Sequence, residues 1–221
     1  MNRILLLAIA AVVVIGGGAY YYVTQQQGPA STEITAPADI DSDVDTSGVL
    51  EMSLGNPDAP VTVIEYASFT CPHCRDFHKG TYQDLKAQYI DTGKINFIYR
   101  EVYFDLPGLW AGMVARCGGP DRYFGISDLI YQDHPNWVRG ANGVEIAENL
   151  RRIGRTAGLT DAQLDACLQD NAKAEALNAV FEANARADGI NSTPSFVING
   201  ELYSNMSLAE FQRIIDAELE G

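Results

Sequence analysis

The chain has 221 residues, 47% of them hydrophobic and 20% charged, with a formal net charge of −14 at pH 7. So acidic a chain offers no basic footprint for phosphate backbones, which excludes nucleic-acid binding as its main role. With the N-terminal apolar run and the polar stretch behind it set aside, about 170 residues remain, enough for one domain with a sizeable core.

Met1 to Arg3 carry one positive side chain, and Ile4 to Val23 form an uncharged run long enough to cross a bilayer as a helix. Tyr20, Tyr21 and Tyr22 fall where an interfacial aromatic belt would sit. After Arg3 there is no Lys or Arg until Arg75, while Glu33, Asp39, Asp41, Asp43 and Asp45 are acidic. The charge asymmetry leaves the N-terminus in the cytoplasm and the rest outside. The competing reading is a cleaved secretory signal, with an aliphatic core from Ile4 to Ile15 and small residues at Gly17 and Ala19. Residues 1–23 are thus a signal-anchor or a signal peptide, and both export the remainder of the chain. Residues 24–47, rich in Gln, Ser, Thr, Ala, Pro and Asp, predict a disordered acidic linker with little to bury.

Folded structure is predicted from residue 48. Val49 to Leu54 suggest a short strand and Gly55 to Pro60 a turn. Val61 to Ala67 are β-branched and apolar apart from Glu65, a strong strand pattern. A helix opens at Pro72 and is predicted to run to about Tyr89, burying Phe77, Leu85 and Tyr89. Ile95 to Val102 then form a strand parallel to Val61–Ala67 through that crossover. Between residues 105 and 187 the pattern is helical, in segments near Leu109–Arg116, Tyr123–Tyr131, Val144–Ala157, Asp161–Leu168 and Ala172–Ala187. Thr160 with Gln163 has capping-box spacing. Ser195 to Ile198, the Asn199-Gly200 turn and Glu201 to Tyr203 predict a hairpin, and Ser207 to Leu219 an amphipathic closing helix. Trp110, Trp137, Tyr123 and Phe124 are expected in core or rim packing rather than in a binding groove. The loop His134-Pro135-Asn136-Trp137 suggests no particular chemistry.

Four cysteines form two sets. Cys117 and Cys167 lie in separate helical segments. In an oxidising compartment, which the N-terminus suggests, they are expected to form a structural disulfide; in the cytosol they would be two buried thiols. The other set is Cys71-Pro72-His73-Cys74, between an apolar strand and a helix. That order places Cys71 at a helix N-terminus, where unpaired N–H groups and the helix dipole favour a thiolate. Pro72 suits the first turn, whose N–H has no partner in any case. A protonated His73 would add a second charge favouring the Cys71 anion. Cys71 is then the exposed nucleophile and Cys74 the resolving thiol. The same cysteines have zinc-knuckle spacing, with His78 four residues on. A closed zinc site needs four ligands, and no second CxxC or HxxxH is present, so redox chemistry is favoured over metal binding and no metal is assigned.

Glu65 to Cys74, reading EYASFTCPHC, resembles the active-site strand and helix start of DsbA-type thiol:disulfide oxidoreductases. Ser192 to Gly200, reading STPSFVING, is similar to the family's cis-proline loop and the strand after it. The likeness extends from about Val49 to Leu219. It implies a thioredoxin fold, an α/β architecture with a central mixed sheet, in which residues 48–104 and 188–221 form the fold and residues 105–187 an inserted helical domain. It further implies that Glu65 relays the proton of Cys74 and that Thr193 and cis Pro194 bind an extended client peptide; apart from the resemblance, Arg100 and Lys94 are candidate counter-charges for Glu65. No organic cofactor is implied. The resemblance implies reduced, exported polypeptides as clients, a DsbB-like quinone-linked membrane protein as partner, and a place in a Gram-negative periplasm, tethered by residues 4–23 if they are not cleaved. Threonine before the proline departs from the enteric enzyme's valine and resembles disulfide isomerases. The alternatives are therefore an isomerase or reductase kept reduced by a membrane partner, or, from another class, a copper or zinc protein using Cys71, Cys74 and His78.

Overall fold

The computed structural model describes residues 44–220. The expected signal-anchor and the linker up to residue 43 lie outside the described residues. Residues 44–47, the end of the expected linker, are among those described. The Ser47 N–H donates to Asp45 Oδ1 at 2.9 Å, and Lys173 Nζ donates to the Gly48 carbonyl at 2.6 Å.

Five strands form one mixed sheet in the order β1-β3-β2-β4-β5: β1 Met52–Gly55, β2 Val61–Ala67, β3 Ile95–Glu101, β4 Ser195–Ile198 and β5 Glu201–Ser204. Strands β2 and β3 run parallel, with Glu65 opposite Tyr99 and Tyr66 opposite Arg100. The other pairs are antiparallel. The apolar run in β2 is explained by its place at the sheet centre, buried on both faces. Val63, Glu65 and Ala67 point to one face with Phe97, Tyr99 and Phe196; Tyr66 points to the other with Val197, against Phe181 and Ile190. Gly55 closes β1 at φ +91°, and a Cβ there would lie 2.3 Å from the Ile95 carbonyl, so the turn admits only glycine. The β4–β5 turn has positive φ at both Asn199 and Gly200, as a two-residue hairpin requires.

The helix predicted from Pro72 to Tyr89 is in three pieces. Helix α1 spans Pro72–Lys79 and α2 Thr81–Leu85, and a π-helical turn follows over Lys86–Ile90. Gly80, at φ −125° and ψ −100°, leaves helical space between them. Phe77, Leu85 and Tyr89 are nevertheless all buried, which is why the periodicity ran on through the break. The inserted helices are α3 Leu106–Cys117, α4 Pro120–Gln132, α5 His134–Trp137, α6 Gly143–Thr156, α7 Asp161–Leu168 and α8 Asn171–Ala187. Helix α7 opens on the complete Thr160–Gln163 capping box. Helix α9, Leu208–Glu220, places Phe211 and Ile215 in the core against Phe77 and Phe196.

Cys117, ending α3, is bonded to Cys167 in α7 across 50 residues of sequence. In the chain-entropy model a loop of that length stabilises the fold by up to about 4 kcal/mol. Replacing both residues by alanine is expected to lower the equilibrium stability of the oxidised chain by about 2–4 kcal/mol in guanidinium unfolding. An unchanged midpoint would show that the bond does not constrain the unfolded chain.

Candidate active site

Strand β2 delivers the chain to a short segment, Ser68 to Thr70, that is held from several sides before α1 begins. The Tyr131 hydroxyl donates to the Ser68 carbonyl at 3.2 Å, and it lies 2.6 Å from the Tyr99 hydroxyl. His134 Nε2 is 3.1 Å from the Thr70 carbonyl, so that nitrogen carries the proton. The Thr70 hydroxyl donates to Asp105 Oδ2 at 2.9 Å, while Asp105 Oδ1 accepts the Gly108 N–H at 2.7 Å and caps α3. The segment before Cys71 is thus tied to β3, α3, α4 and α5 together. None of these partners was singled out as functional in the sequence. Asp105 alone carried a signal, an N-cap residue two positions before Pro107.

Cys71 is the N-cap of α1 and Pro72 its first residue. Both cysteines are thiols, Cys71 partly exposed and Cys74 fully buried one turn deeper. The Thr193–Pro194 peptide bond is cis, and the Cys71 Sγ lies 3.5 Å from the Thr193 carbonyl. The loop therefore faces the accessible sulfur, 122 residues away in sequence.

The two thiols are electrostatically unlike. The Cys71 pKa falls to about 5, chiefly through a hydrogen bond from Cys74, opposed by partial burial and aided by the Thr193 side chain and the backbone N–H groups of Cys74 and His73. Cys74 is pushed far up, by burial first and then by Cys71 and Glu65. His73 enters through its backbone: its side chain is exposed, and its imidazole is not among the causes, in contrast to the expected tuning charge.

Glu65 has no solvent exposure, and its partner is His78, whose Nε2 lies 3.0 and 3.2 Å from the two carboxylate oxygens. Arg100 and Lys94, the expected counter-charges, are elsewhere. The parallel register puts Arg100 beside Tyr66, on the opposite face, where it binds Glu51, Asp188 and the Tyr66 hydroxyl. Lys94 Nζ sits over the Tyr89 ring. His78 stacks on Tyr131 with ring centroids 4.3 Å apart, and Tyr82 lies at 4.5 Å. It is therefore turned to Glu65 and not grouped with Cys71 and Cys74. Among the described residues no three His, Cys, Asp or Glu side chains gather as a metal site, so the alternative copper or zinc set of Cys71, Cys74 and His78 is not brought together. Trp137 and Tyr123 are core residues; Trp110 and Phe124 pack against the core half-buried. Phe104 and Leu106, on either side of Asp105, are exposed apolar residues that the sequence did not flag.

The depressed Cys71 pKa fixes a sign. An unfolded thiol ionises near 9.0, so the stabilisation of the reduced fold is complete above that pH and is lost as pH falls through about 5. Alkylation of reduced chain by iodoacetamide at Cys71 is expected to stay level from pH 8 to pH 6 and to fall with a midpoint near 5, read by mass spectrometry. A midpoint near 9 would show that the local hydrogen bonds do not hold the thiolate.

A family model described as thioredoxin matches residues 47–217. A Rickettsia bellii relative named for protein-disulfide oxidoreductase activity is 34% identical over 171 residues, which are 77% of this chain and 65% of that protein. The chain thus spans less than two thirds of that relative's length. Disulfide bond formation protein D of Bacillus subtilis is 23% identical over 76% of this chain and 77% of its own. The crystal structure of alpha-DsbA1 from Wolbachia pipientis superposes with a TM-score of 0.68 at 28% identity, covering 77% of this chain and 91% of that one. The chain belongs to the thioredoxin family and is similar, within it, to DsbA-type proteins.

Proposed function

We propose that the protein oxidises cysteine pairs in exported polypeptides by disulfide exchange at Cys71 and Cys74. The observation that carries this reading is the asymmetry of the two thiols, one accessible and acidic, the other buried and held protonated. A client thiolate attacks Cys71 Sγ of the disulfide form; the Cys71–Cys74 bond breaks, and Cys74 leaves and takes a proton. A second client thiolate then attacks the client sulfur of the mixed disulfide. The client disulfide forms, and Cys71 departs as a thiolate. An acidic Cys71 is a good leaving group and stabilises the reduced enzyme, which makes its disulfide a strong oxidant.

In this reading Glu65 relays the Cys74 proton, and Pro72 presets the first turn of α1. The Thr193–Pro194 loop pairs with an extended client segment beside Cys71. Phe104 and Leu106, exposed on either side of the Asp105 that binds Thr70, offer apolar rim contacts. Residues 1–23 place the domain in the periplasm, as a signal or as a tether, and a DsbB-like quinone-linked membrane protein would restore the disulfide. A second reading has one observation in its favour, the threonine before the cis-proline: it fits an isomerase or reductase kept reduced by a membrane partner.

The redox equilibrium of the Cys71–Cys74 pair in glutathione buffers separates the two readings. Oxidase function predicts a potential nearer about −120 mV than about −270 mV, and stoichiometric reoxidation of a reduced, unfolded test protein. A value at the reducing end, with scrambled disulfides repaired faster than thiols are oxidised, would replace the oxidase by the isomerase. Thr193→Val is expected to remove the side chain's share in holding the Cys71 thiolate, raising the alkylation midpoint above that of the wild type. An unmoved midpoint would leave the thiolate to Cys74 and the helix backbone.

A further inference from the structure

His78 has a second ring nitrogen that no part of the site described so far uses. Its Nε2 is committed to Glu65, and its Nδ1 is buried with no protein partner. A buried polar atom without a partner is costly, so its persistence calls for an explanation. The same side chain lines a surface cleft of about 240 Å³, together with Lys79, Gln83, Asp128, Tyr131 and Gln132. A cleft of that size and polarity admits water. On its inner side the imidazole reaches Glu65, the buried acid that acts on Cys74. One residue therefore reaches the buried acid through Nε2, carries a buried, unpartnered Nδ1 and lines a polar cleft.

We infer that His78 is the outlet of the proton path that serves Cys74: it exchanges protons with Glu65 at Nε2 and with water of the Lys79–Asp128 cleft at Nδ1. The inference rests on the reading of Cys71–Cys74 as an exchanging disulfide with Glu65 as its relay, and it assigns the step beyond Glu65. When the disulfide is reduced, Cys74 leaves with the electron pair of the broken S–S bond and takes the proton of the Glu65 carboxyl. Glu65 recovers a proton from His78 Nε2–H, and His78 Nδ1 takes one from water. One solvent proton enters, and the ring ends as the Nδ1–H tautomer. Reoxidation runs the same transfers outward and returns the ring to its starting tautomer. No ring flip and no fully charged imidazolium is needed.

The groups facing His78 suit this passage. Glu65 comes from β2, Tyr82 from α2, Tyr99 from β3, and Tyr131 and Asp128 from α4, with Cys74 and Lys79 on its own helix. Burial raises the Tyr82, Tyr99 and Tyr131 hydroxyls well out of the neutral range. They therefore insulate the ring without competing for its proton. Asp128, whose pKa is raised by burial and lowered in part by His78 and Lys86, lines the cleft. His78 does not touch the reacting sulfurs and acts through Glu65.

The test is the single-turnover reduction of the oxidised full chain by dithiothreitol between pH 5 and 8, in wild type, His78→Gln and Glu65→Gln. The glutamine amide introduced by H78Q can still donate to Glu65 but cannot pass a proton through. The expected result for H78Q is a loss on the order of 10²-fold at pH 8. The deficit should shrink toward pH 5, where solvent supplies protons readily, with the redox potential and melting temperature unchanged. H78Q added to E65Q should slow the step no further, because both interrupt one path. His78→Ala, which opens the cleft, should recover rate when imidazole is added to the buffer. A wild-type rate in H78Q while E65Q is slow would overturn the outlet and leave Glu65 in place. A rate loss in H78Q that is equal at every pH and accompanied by a shifted potential would make the histidine structural. E65Q reducing at the wild-type rate would overturn the relay reading itself.

Discussion

The architecture turns on one costly act, the placement of a carboxylate in the middle of the central strand. Glu65 is fully buried, with sheet on both sides and an aromatic wall around it. An unpaired carboxylate in such a position would cost several kcal/mol. His78 makes the position tenable, and several local features exist in a form that brings it there. Helix α1 begins at Pro72 with Cys71 as its N-cap, and His78, four residues beyond Cys74, falls on the same helical face as Cys74. Gly80 then ends α1 one turn after Asp76, two residues beyond His78.

The alternation of β2 separates two charge systems that would otherwise interfere. Glu65 and Tyr66 are neighbours in sequence but point to opposite faces. Arg100, directly across from Tyr66, is drawn into a network with Glu51 and Asp188 on the far side. A guanidinium placed beside Glu65 would lock the carboxylate in its charged form. An imidazole can give up or accept a proton. The period of two in a strand thus decides that the buried acid meets a proton-exchanging group and not a permanent cation.

The parts of this arrangement that were legible in the sequence are those written in local pattern. The strand–CPHC–helix order, the Asn199-Gly200 hairpin and the Thr160–Gln163 box depend on residues within a few positions of one another, and each took the expected form. The overlong helix after Pro72 came from the same kind of signal misapplied. Apolar spacing continued past Gly80 because all three pieces bury one side, and burial does not report a broken backbone. What stayed hidden was the identity of partners. Nothing near Glu65 says that its counter-group is thirteen residues ahead on a helix and not across the sheet. Nothing near Thr70 announces His134, which is 64 residues away. Such pairings are set by the register of β2 on β3 and by how the inserted helices close over it.

Stability and chemistry are coupled at Cys71 by that same closure. The hydrogen bond from Cys74 and the N–H groups opening α1 stabilise the thiolate only in the folded, reduced chain, since a disulfide sulfur carries no charge to stabilise. Every group that favours the anion therefore lowers the reduced state relative to the oxidised one. Burial of Cys74 reinforces this, because holding its proton keeps a second negative charge out of the interior. The oxidised fold is left as the form with less to hold it together at this end of the sheet, so the proposed transfer of the disulfide to a client would move the chain toward its better-stabilised state. In that reading the driving force for donation is stored in the ordinary electrostatics of a helix start, and the proposed path through Glu65 and His78 would govern how readily the accompanying proton follows.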